Sequence, residues 1–190
     1  MQFKPLLALL PLVATALGYV VPEGTPDGFY AVTFDAEGNS TTYPIDPSTH
    51  AVIGEPFEKR GLTQNSAKFS RQAITANSWG ATGRTFPVHS DYDQCTIGWR
   101  NFFDAGSVVP HRRIYYSLSG QAVLAGCNYK YSTQAGTGQF VDLYNGFMDG
   151  TVAGWWKTGW VHYYNGQFGD VDFTFWRDLQ GTPFCTNLPQ

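Results

Sequence analysis

The sequence predicts an α+β protein in which two helices pack on one face of a mainly antiparallel sheet, a split β-α-β-like sandwich. Three observations lead there. Tyr92, Cys95, Trp99, Phe102 and Phe103 recur at helical spacing. A second helical face follows in Phe140, Tyr144, Phe147 and Met148. The stretches around them alternate at strand period, as in Val123, Ala125, Cys127, Tyr129 and Tyr131, and again in Val171, Phe173 and Phe175.

Taken in order, residues 74–79 read as a first strand that Gly80 and Gly83 interrupt. Ser90 reads as a helix cap, with Asp91 and Asp93 in the first turn where the helix dipole favours acids. Gly106 and Pro110 end that helix. Residues 112–118 form the next strand, and Ser119-Gly120 turns it into 121–131. Thr137 caps the second helix, which stops at Gly150. Asn165-Gly166 is a hairpin signal between strands 160–164 and 167–176, with Asp172 and Thr174 on the face opposite Phe173 and Phe175.

The front of the chain has a different character. Lys4, the apolar run 6–17 and the small residues before position 19 match a secretory signal peptide at 1–18. Residues 19–60 carry five prolines and seven acids against two basic residues, Lys59 and Arg60. A segment so charged does not hold a core by itself. It reads as an acidic pro-segment that ends at the dibasic pair Lys59-Arg60, the cleavage signal of a kexin-type protease. Within it, residues 28–34 are strand-like and suited to pair with the remainder as a folding aid or cover. Asn39 opens the glycosylation sequon Asn39-Ser40-Thr41. Residues 61–190 are then a single mature α+β domain, secreted to the outside of the cell.

Charge narrows the function. The chain has 12 Lys and Arg against 15 Asp and Glu, and three of those basic and seven of those acidic residues lie in the first 60. The remainder holds nine basic and eight acidic residues, which is no footprint for nucleic acid. Its acids are all Asp, which removes any mechanism built on glutamate.

Cys95, Cys127 and Cys185 allow three alternative single bridges with one thiol left over, and the secretory route favours forming one of them. The cluster His89-Ser90-Asp91-Tyr92-Asp93 has metal-ligand residue types, but helix capping accounts for it; no metal and no cofactor is expected. His162 and His89, with Asp172 nearby in sequence, are the candidates for acid–base catalysis. Trp155, Trp156, Trp160, Tyr163 and Tyr164 fall within eleven residues on alternating faces of a strand, so one core cannot take them all. They are the candidate binding residues, with ring faces suited to a glycan, a membrane surface or a host protein.

The motifs Asp93-Gln94-Cys95, Ile114-Tyr115-Tyr116-Ser117, Ala125-Gly126-Cys127-Asn128-Tyr129, Val152-Ala153-Gly154-Trp155-Trp156 and Phe184-Cys185 resemble the small secreted, cysteine-containing proteins of filamentous fungi. The element order is similar to that of their killer-toxin-like α/β sandwiches, which usually carry more cysteines than the three present here. The resemblance implies a fungal effector or toxin-like protein that acts extracellularly by binding in virulence. A carbohydrate-binding or cell-wall-associated module and a small secreted enzyme are the alternatives.

Overall fold

The computed structural model describes residues 18–35, 39–59, 78–110, 113–128, 156–166 and 169–185. These form strands β1 (Gly28–Phe34), β2 (Ser40–Pro44) and β3 (Phe57–Lys59), then β4 (Ser78–Thr85), helix α1 (His89–Asp104), β5 (Arg113–Ser119), β6 (Ala122–Asn128), β7 (Lys157–Gly166) and β8 (Gly169–Leu179). All eight strands belong to one sheet in the order β3-β2-β1-β5-β6-β8-β7-β4. Every neighbouring pair is antiparallel.

This overturns the expected two-helix α+β sandwich. The architecture is mostly β, with one helix among the described residues; the second expected helix, at 137–150, lies outside them. At the front of the chain, residues 28–34 form the expected strand and pair with the remainder, and two further strands, β2 and β3, join the sheet beside it. Charge kept the segment from being read as a fold of its own, but strands need only a partner edge, and β5 provides one: Gly28 to Val32 pair with Leu118 to Ile114.

Helix α1 forms because its apolar residues return every three or four positions. Tyr92, Cys95, Trp99, Phe102 and Phe103 are buried on that face, as the spacing predicts, together with Thr96. Its start differs from expectation: the cap position is Val88, without a side-chain cap bond, and Ser90 lies inside the first turn. Asp91 lies in the first turn, as expected, and its carboxylate also accepts the Gln121 N–H of the β5–β6 turn at 3.2 Å. That turn consists of Gly120 and Gln121 rather than Ser119-Gly120, since Ser119 pairs with Ala122. Gly120 takes the positive φ, 52°, that such a turn needs.

Two layers of core sit on opposite faces of the sheet. On the helix side, Phe29, Phe86, Leu124, Phe173 and Phe175 pack with Trp99, Phe102 and Phe103. On the other side Tyr19, Val21, Tyr30, Val32, Ile114, Tyr116, Leu118, Val123 and Phe184 form a second cluster. The alternation Val123, Ala125, Cys127 faces this second layer, and Leu124 faces the first. Every residue of β6 is therefore buried, because both faces of the central strand are covered.

Two strand boundaries are also corrected. β4 runs through Gly80 and Gly83 rather than breaking there, with an irregularity between Ala81 and Thr85 in its pairing with β7 and Gly83 at φ 78°. The Asn165-Gly166 pair is the end of β7 rather than a turn, since Gly166 pairs with Gly169.

Candidate functional site

The site is best built from β7 and β8, where most of the expected binding residues fall. Trp160 is the register partner of Trp176, and their rings lie 6.2 Å apart at 38°. Strand alternation puts them on the face opposite Val161 and Phe175, away from the helix. Both rings are half-buried, and Trp176 packs against the second core layer. Its indole N–H is buried and meets no acceptor among the described residues.

The same face continues into a polar border. Asp178 follows two places after Trp176 and is buried. Its Oδ1 accepts from Arg84 Nη2 at 2.6 Å and from the Leu179 N–H at 2.7 Å. Burial pushes the Asp178 carboxyl up from its ordinary value, and the Leu179 N–H and the Arg84 charge oppose that rise. The Arg84 side chain remains 45% exposed. Thr158 Oγ1 donates to the Arg84 carbonyl at 3.3 Å and fixes β4 against β7 at this point. The result is an aromatic platform with a hydrogen-bond donor at its rim, suited to a ligand with one apolar face and several oxygens.

The remaining predicted residues distribute differently. Trp155 lies outside the described residues. Trp156 belongs to the helix side: its ring stacks on His89 at 3.7 Å and 3°, packs against the first core layer, and its carbonyl accepts the Phe86 N–H at 2.9 Å. Its φ of 53° marks the bend that starts β7. His162, Tyr163 and Tyr164 are paired along the backbone with Thr174, Phe173 and Asp172; their side chains, like that of Asp172, lie outside the described set. His89 does not join them. It is stacked at the start of β7, and position 162 lies five residues beyond Lys157, about 17 Å along the strand.

The cysteines resolve into one bridge, Cys127–Cys185, and one buried free thiol, Cys95. Burial pushes that thiol up to about 12. It donates to the carbonyls of Ala122 and Ser117 at 3.3 and 3.5 Å, so it is a packed core group rather than a nucleophile.

At the processing pair, Lys59 ends β3, the outermost strand on its side of the sheet among the described residues; Arg60 lies outside them. Asn39 sits in the turn before β2, where Asp35 accepts from its side-chain amide at 2.9 Å and from its main-chain N–H at 2.8 Å.

Sequence reasoning missed Trp176, Arg84 and Asp178. Their partners are set by the β7–β8 and β4–β7 registers, and a turn placed at Asn165-Gly166 shifts Trp160 away from Trp176. No helix among the described residues is long and apolar enough to cross a membrane. Comparison of the chain with protein-family models, curated proteins and solved structures found no match.

Proposed function

We propose that this is a secreted protein, processed by a kexin-type protease at Lys59-Arg60, that acts outside the cell by binding, as a fungal effector or toxin-like factor. The observation that carries the reading is the half-buried Trp160–Trp176 pair beside Arg84 on the sheet face away from the helix. Large rings that are neither fully buried nor isolated, next to a charged rim, are the composition of a contact surface. The place of the dibasic pair supports the processing half. Among the described residues β3 is an edge strand, and an extended edge strand is the form in which a protease groove takes its substrate.

The test uses protein purified from the medium of its own host, wild type and Trp160→Ala, with equal folding checked by circular dichroism. Loss of toxicity toward plant or microbial cells in Trp160→Ala supports the reading. Undiminished toxicity in that variant overturns the assignment of this surface.

A carbohydrate-binding role is the second reading, favoured by the half-buried, neighbouring rings of Trp160 and Trp176, whose faces suit a sugar. Co-sedimentation with insoluble chitin or β-glucan, abolished by Trp160→Ala, would select it. No co-sedimentation would count against it and leave a membrane surface or a host protein as the target.

A further inference from the structure

The most extensive unassigned feature of the molecule is the surface between the segment before Lys59-Arg60 and everything after it. We infer that cleavage there does not release the segment: residues 19–60 stay in place as three strands of the common sheet, and the working protein is a non-covalent two-chain molecule. This rests on the processing proposed above, and it replaces a free 61–190 domain as the active form.

The position of β1 carries the argument. It lies inside the sheet, between β2 and β5, and Gly28, Phe29, Tyr30, Ala31 and Val32 each have a register partner on β5. Its side chains enter both core layers. Phe29 stands on the helix side, 5.1 Å from Trp99 and 5.3 Å from Phe102. Tyr30 stacks on Tyr116 on the other side at 4.9 Å and 19°. Removing the segment would open the core above and below β5 at once and leave that strand a bare, apolar edge.

Three polar contacts pin the segment at separate points. Tyr19 and Phe184 exchange main-chain hydrogen bonds of 2.8 and 2.9 Å. Asp27 Oδ1 accepts the Gly120 N–H at 2.8 Å. His50 lies flat on Phe102 at 4.9 Å, and its Nε2 meets the Ser107 hydroxyl beyond the end of α1. None of these residues adjoins the cut. Lys59 is on β3, separated from β5 by two whole strands, so a break after it leaves the β1–β5 ladder and both core layers untouched. The disulfide does not hold the pieces together, because Cys127 and Cys185 both lie on the C-terminal side of the cut. Retention is therefore strand complementation, with the acceptor edge on β5 and the donor strand on β1. The Asn39 sequon then belongs to the finished protein instead of being discarded.

The test is mass spectrometry of the secreted protein under denaturing and native conditions. Two chains on denaturation, one ending at Arg60 and one beginning at Gly61, with their equimolar complex under native conditions, is the expected result. A native species of 61–190 alone overturns retention. An uncut chain overturns the processing reading instead, and retention is then read from a variant with a site-specific protease sequence placed between Arg60 and Gly61, cut after folding. In the cut protein Phe29→Ala should increase dissociation of the segment by roughly 100-fold or more. Val52→Ala, at a position 55% exposed, should leave it unchanged; equal loss in both variants would also overturn the assignment.

Discussion

Tyr19 and Phe184 lie near opposite ends of the described chain and close on each other as a two-residue antiparallel bridge, with their rings 5.4 Å apart. The next residue, Cys185, is tied to Cys127 in the middle of the sheet. Together they cover the face that α1 leaves open. Tyr19 also reaches Thr42 Oγ1 at 2.8 Å and Tyr116 at a ring distance of 5.8 Å. A single helix can cover only one side of a sheet, and this meeting of the two ends shields much of the other. The Trp160–Trp176 ring pair lies half-buried on the same face, with Trp176 packed against that second layer.

Thiol counting tests the cysteine assignment. With Cys127 and Cys185 bridged and Cys95 buried, the native protein should give no thiol reacting with a disulfide reagent at pH 8. Unfolding without reductant should reveal one thiol, and unfolding with reductant three. The sign of the pH effect follows from burial, which raises the folded value of Cys95 to about 12 from 9.0. The folded state holds the proton that the unfolded state releases, so the contribution is complete below about pH 9 and lost as pH rises toward 12. A native thiol that reacts at pH 8 would show that the helix does not seal this site.

What the sequence made legible was local. The face of α1 could be read because helical spacing repeats within a few residues, and Tyr92 through Phe103 bury as that spacing predicts. Alternation likewise assigned Val123, Ala125 and Cys127 to one layer. The long-range parts were not readable. Gly28–Phe34 could be read as a strand that pairs with the remainder, but nothing in it names β5 as the partner, since main-chain pairing carries no side-chain signature. The ring platform was hidden by register. With a turn at Asn165-Gly166, Tyr164 would face Gln167 and Trp160 would face Val171; the turn falls later, and Trp160 meets Trp176. Arg84 and Asp178 meet across three strands and leave no trace in spacing.

The Arg84–Asp178 pair should make stability depend on pH in a defined direction. Burial raises the folded carboxyl above its ordinary 3.8, so the protonated form suits the fold better than the charged one. Its favourable contribution is complete below pH 3.8 and is lost as pH rises through the folded value, where Arg84 limits the loss. Arg84→Met should therefore cost about 1 kcal/mol at pH 7, a modest figure because Arg84 is partly solvated. The cost should shrink toward zero at pH 3.5. Urea midpoints of both proteins at the two pH values measure it, and a cost independent of pH would show that Arg84 acts through packing of its stem alone.

Helix and sheet come close at Gly126, and the contact can be tested by coupling. A Cβ placed there would lie 2.6 Å from Trp99 Cη2 and 2.8 Å from Phe173 Cζ, inside any normal contact. Trp99 cannot simply move, because its indole N–H donates to the Leu124 carbonyl at 2.9 Å and its ring is wedged against Phe29 and Phe175. Gly126→Ala should destabilise by about 1–3 kcal/mol through overpacking. Trp99→Phe alone should also cost about 1–3 kcal/mol, from the space left and the lost bond. In the double variant the smaller ring makes room for the added methyl, so the combined loss should fall short of the sum by at least about 0.5 kcal/mol. Equilibrium denaturation of the four proteins gives the coupling directly. Strict additivity would mean that Gly126 and Trp99 are not in contact, and the seating of α1 on β6 would have to be redrawn.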